Sequence, residues 1–183
     1  MLCLFIDKKM HVSNASSQTY EGGETMKTFF YSIVGVVALG VTAAHSASVV
    51  VRDPGLVPYE IVDGNSIPKS LTGVAGDPAK GKKIAIGRKA GNCLACHAMP
   101  IPEQQFHGET APSLYGVGNR LSEGELRMQL VNSKVTNEDT MMPSYYRTFG
   151  FERPLKKFVG KSIISAQDVE DVVAYLQTLK TDQ

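Results

Sequence analysis

Cys93-Leu94-Ala95-Cys96-His97 constrains this chain more than any other stretch of it. Two thiols three apart, with an imidazole directly after them, match the pattern by which haem is attached covalently. The thiols add across the haem vinyl groups, and the imidazole of His97 is carried under the iron as the proximal ligand. A chain with this pentad folds around its cofactor, and the remaining segments must supply a sixth ligand and a wrapping. Two plainer readings compete. A structural zinc site needs four protein ligands, yet the third cysteine, Cys3, lies in a segment expected to be missing from the mature chain. A redox disulfide would need a βαβ pattern around the thiols, and none is visible.

The front of the chain reads as targeting sequence. Met26-Lys27 opens a short basic region, residues 29–44 are almost unbroken apolar, and Ala43, Ala44, Ser46, Ala47 and Ser48 offer small side chains for cleavage. The apolar run falls short of a bilayer span of about 20 residues and no stop-transfer pattern follows, so no stable membrane span is expected after cleavage. Residues 1–25 read as a non-native extension, 26–47 as a signal peptide, 48–76 as an extended segment and 77–183 as the domain carrying the pentad. The expected location is the periplasm, where haem is joined to reduced thiols. The formal net charge of +1 gives no hint of nucleic acid.

Residues 49–77 are rich in Val, Ile, Pro and Gly, and prolines this frequent exclude helix. The segment is too apolar for a solvated linker, so it lies either on this domain or on a partner. Asp77-Pro78 predicts a helix start, with Asp as N-cap and Pro in the first turn. The helix runs to Ile86 before Gly87 and Gly91 break the path. Gly81 within it costs about 1 kcal/mol and implies a packing reason. Ser122-Glu123-Gly124-Glu125 is a capping box ahead of Leu126, Leu130 and Val131. Ser165 opens a last helix whose apolar face is Val169, Val172, Val173, Leu176 and Leu179. The expectation is an all-α fold with long loops packed on a cofactor.

Soft sulfur opposite imidazole favours ferrous iron and raises the potential. Met99 follows His97 too closely to reach the other face. Met128 sits in a helix and reads as packing. His107 lies in a polar loop and reads as a surface residue. Met141-Met142-Pro143 differs, because it falls between two helices and the proline biases Met142 toward an extended backbone. Met142 is therefore the expected sixth ligand, ahead of Met141. The Pro112 carbonyl is the candidate acceptor for the far N–H of His97, the usual outer partner of a ligating imidazole; an ordinary turn proline is the alternative there.

These residues resemble class I cytochromes c, and within them the SoxX family, the small monohaem subunits of SoxAX. The resemblance rests on residues 91–97, on residues 112–122, on Asp139-Thr140-Met141-Met142-Pro143-Ser144-Tyr145-Tyr146-Arg147 and on residues 168–176. Val57-Pro58-Tyr59-Glu60-Ile61-Val62-Asp63-Gly64, with Leu71-Thr72-Gly73, also looks like that family's N-terminal extension. One departure is Ala111, where the family usually has Gly before the proline.

The resemblance implies a class I cytochrome c fold over 77–183 and one covalent haem c. It also implies a heterodimer with a SoxA-like haem subunit that carries the catalytic cysteine. The complex would be an L-cysteine S-thiosulfotransferase that oxidatively joins thiosulfate to a cysteine of a SoxYZ-like carrier, with electrons leaving to a soluble acceptor. This chain contributes the redox role and no nucleophile. The alternative is an independent periplasmic electron shuttle. Two basic clusters, Lys80, Lys82, Lys83, Arg88, Lys89 and Arg147, Arg153, Lys156, Lys157, Lys161, read either as a steering surface or as a solvated face.

Overall fold

The computed structural model describes residues 46–181. The expected extension over 1–25, and the apolar signal run, lie outside the described residues. Four helices carry the domain: α1 (Pro78–Ile86), α2 (Val117–Arg120), α3 (Glu123–Asn132) and α4 (Ala166–Thr178). Short 3-10 turns occur at Cys93–Ala95, Ser133–Val135 and Lys156–Phe158.

Local chemistry starts each of the longer helices. The Asp77 carboxylate accepts from the backbone N–H of Ala79 and Lys80 at the head of α1. Ser122 with Glu125, and Ser165 with Asp168, form reciprocal capping boxes that satisfy otherwise orphaned N–H groups. Val169, Val172, Val173, Leu176 and Leu179 of α4 are all buried, as their spacing predicts.

Helices α1 and α4 pack closely, and Gly81 is the reason they can. A Cβ on Gly81 would lie 1.9 Å from the Asp171 carbonyl oxygen. The glycine's cost in helix propensity is offset by an approach that no side chain allows. Helix α3 also packs on α4, and between them lies a buried bidentate ion pair. Arg127 Nε and Nη2 donate to the two Glu170 carboxylate oxygens, each at 2.9 Å.

The extended segment lies on this domain. It forms a two-stranded antiparallel hairpin, β1 (Ser48–Val51) and β2 (Tyr59–Val62), with Ser48 opposite Val62 and Val51 opposite Tyr59. Alternation buries Tyr59 and Ile61 while Glu60 faces outward. Further along, Ile67 and Leu71 enter the core. Arg127 Nη1 donates to the Ile67 carbonyl at 2.7 Å, and the Leu71 N–H donates to Glu170 at 2.8 Å. The ion pair thus spends its spare hydrogen-bonding capacity on tying down the extension.

Candidate functional site

Gly87 ends α1, and the chain turns through Asn92, which holds a left-handed backbone (φ 51°). Asparagine tolerates that region better than most residues. The turn delivers Cys93 into a short 3-10 turn, with Cys96 N–H and His97 N–H both bonded to the Cys93 carbonyl. Cys93 and Cys96 are free thiols, the first half-buried and the second exposed. Burial pushes the Cys93 thiol up to about 11. In the folded chain it is therefore protonated and a weak nucleophile near neutrality.

His97 Nδ1 lies 2.6 Å from the Pro112 carbonyl oxygen. A carbonyl can only accept, so the proton resides on Nδ1 and the Nε2 lone pair is left for a metal. The backbone delivers that carbonyl by itself: Ala111 N–H donates to Cys96 O and Leu114 N–H to Ala98 O, both at 2.9 Å. Arg120 steadies the far side, donating to the carbonyls of Ser113 and Tyr115. The methyl group of Ala111 leaves the His97–Pro112 contact in place.

The loop between His97 and Pro112 folds back on the attachment turn. Gly108 N–H donates to Leu94 O at 2.7 Å, and a Cβ on Gly108 would meet the Ala95 carbonyl at 2.1 Å. This fold-back corrects the expectation for His107, which is half-buried rather than a surface residue. Its Nδ1 accepts from Met99 N–H at 3.2 Å, so Nε2 bears the proton, and that buried N–H has no partner among the described residues. Met99 and Met128 are both fully buried in the core.

Met141 and Met142 point to different surroundings. Met141 is 79 % exposed, whereas Met142 is half-buried against the core cluster together with Cys93 and Leu114. The loop carrying Met142 is tied to the attachment turn by its neighbour. The buried Tyr145 hydroxyl donates to Gly91 O at 2.7 Å, two residues before Cys93. Burial, followed by the nearby Cys93 and Cys96 side chains, pushes the Tyr145 phenol well above its ordinary value.

The donor set suits haem c. Two free thiols share one turn, an imidazole is locked in the tautomer that frees Nε2, and a thioether stands at the edge of the core. Cys93, Leu114 and Met142 are each only partly buried against the core, which leaves part of their apolar surface available to a flat apolar group. Among the described residues, no three His, Cys, Asp or Glu side chains gather to hold a bare metal ion.

The basic residues are partly occupied. Lys82 pairs with Glu103 at 2.5 Å. Arg147 lies over the rings of Phe149 and Phe151, at 5.8 and 5.4 Å from their centres. Around them Phe149, Leu155 and Val159 are exposed.

Residues 78–180 match the family model described as Cytochrome c. Among solved structures, the crystal structure of SoxXA from P. pantotrophus contains a similar chain, 42% identical. The similarity covers 64% of this chain and 91% of that one, with a TM-score of 0.60. No curated protein matches.

Proposed function

Because this chain belongs to the cytochrome c family, with the class I fold and the covalent haem c that membership implies, we propose that it is the monohaem electron-transfer subunit of a SoxAX-type complex. The observation that carries this reading is the 42% identity to a SoxXA chain over 91% of its length. When bound, the haem supplies a one-electron iron(III)/iron(II) couple. Cys93 and Cys96 would hold it, and His97 and Met142 would be the residues that ligate its iron. Pro112 O fixes the plane and tautomer of the His97 ring, which keeps Nε2 free of a proton.

With His97 and Met142 both given to the iron, substrate would have no place on it. Both cysteines among the described residues lie in the attachment turn. The nucleophile for coupling thiosulfate to a SoxYZ-like carrier must then come from a SoxA-like partner. Joining those two sulfur atoms releases two electrons, and this chain passes them to a soluble acceptor in the periplasm. Residues 26–47 direct export and 48–76 form the family's extension. Among the described residues no helix is long and apolar enough to cross a membrane.

Exposed Val49, Val50, Phe149, Leu155 and Val159 favour a subunit over a freely diffusing shuttle, because bare apolar surface of this kind promotes association. The test is expression with haem-maturation factors alongside the coding sequence of the larger haem subunit. The expected result is a two-subunit complex that turns over thiosulfate, in which this chain is heavier by one haem. A haem-loaded chain that stays monomeric beside its partner would favour the shuttle.

A further inference from the structure

Met142 belongs to no regular element, so something else must fix its backbone. Its N–H donates to Thr140 Oγ1 at 3.2 Å, and its carbonyl accepts from Ser133 Oγ at 3.0 Å. The following residues are laid along the end of α3. Tyr145 N–H donates to Leu130 O at 2.9 Å, Tyr146 N–H to Val131 O at 3.4 Å, and Ser144 Oγ to Asn132 Oδ1 at 2.9 Å. A helix C-terminus leaves its last carbonyls without intrahelical donors. Here the methionine loop supplies donors to two of them.

Those two bonds are main-chain and would form with almost any sequence. Ser133 is different, because its contribution is carried by a side chain. The residue is 1% exposed, and its own carbonyl is already taken by the Thr136 and Asn137 N–H groups. Its hydroxyl is aimed away from its own helix, across to the Met142 carbonyl, just ahead of Pro143. Nothing in capping chemistry requires that direction.

We propose that Ser133 is a positioning residue for Met142, its hydroxyl holding the Met142 carbonyl so that the thioether stays on the sixth axial position. The proposal rests on Met142 being that ligand. Without the hydroxyl, the carbonyl keeps its place only through the neighbouring bonds, and the sulfur leaves more readily. A net loss of about 1.4 kcal/mol, within the range for one hydrogen bond, makes release about tenfold easier.

The test is imidazole binding to the ferric, haem-loaded protein, since imidazole occupies the iron only when sulfur has left. Ser133→Ala removes one atom and no packing volume of consequence. It is expected to bind imidazole about tenfold more tightly and to weaken the long-wavelength sulfur-to-iron absorption, while Ser133→Thr restores both. Ser165→Ala, which loosens the α4 cap through bonds to Asp168 alone and touches neither Ser133 nor the Met142 carbonyl, is expected to leave imidazole affinity unchanged. Met142→Ala is expected to abolish the sulfur-to-iron absorption. Persistence of that absorption in Met142→Ala would overturn the ligand assignment and the proposal with it. Its loss there, with Ser133→Ala binding imidazole like the parent, or with Ser165→Ala shifted equally, would overturn the proposal alone.

Discussion

At the scale of single residues, two methionines with the same chemistry stand side by side and exposure separates them. Met141 turns to solvent, and Met142 is half-buried against the core. Replacing Met142 with His should keep the haem attached, since the thioethers are untouched, and should lower the midpoint potential because nitrogen favours ferric iron more than sulfur does. Met141→Ala should leave the potential where it was. A redox titration of both variants checks this. Pro143 is what drew the sequence reading to Met142, because its effect on the preceding backbone is local. Ser133 and Arg120 were not readable in that way. Each acts on a partner brought near by folding, with no spacing rule that links serine at 133 to a carbonyl at 142. His107 misled for the same reason: a polar loop sequence gave no sign that Gly108 would draw it against the attachment turn.

At the scale of elements, α1, α3 and α4 were legible because their starts are written in side-chain chemistry, whereas α2, which has no side-chain cap, was not. Asp77-Pro78 and the two capping boxes mark starts within a residue of where they occur. The hairpin of β1 and β2 was not, since Pro54 and Pro58 sit between its strands and read as irregular chain. Gly81 hinted at a close packing partner without saying which, and the partner is the backbone of α4. Gly81→Ala should therefore cost about 3 kcal/mol, at the upper end of overpacking penalties, because the obstacle is a carbonyl that cannot swing aside. Ser165→Ala should cost about 1 kcal/mol through loss of one cap. Urea unfolding of the two variants separates these magnitudes.

At the scale of the whole molecule, one buried carboxylate joins the extension to both long helices. Glu170→Gln should destabilise the protein by about 3–5 kcal/mol, because it strands the Arg127 charge in the interior. Thermal melting should show it, with earlier proteolysis of residues 48–76. Alkaline stability carries a second signature. Burial, as the largest cause, raises Tyr59 and Tyr175 to about 12 and Tyr145 further still. Folded values above the ordinary phenol value of 10.0 mean a contribution complete below pH 10 and lost as pH climbs through the folded values. Melting temperature should therefore be insensitive to these groups near neutrality and fall steeply above pH 10.

The Tyr145 hydroxyl on the Gly91 carbonyl acts as a strut between the segment bearing the thiols and the segment bearing Met142. On the proposed ligation, that strut would restrain the two segments holding the iron from moving apart as its charge changes. Less nuclear rearrangement would then accompany each electron, which would keep the reorganisation energy small and the exchange rapid. Tyr145→Phe should leave the haem in place and slow self-exchange.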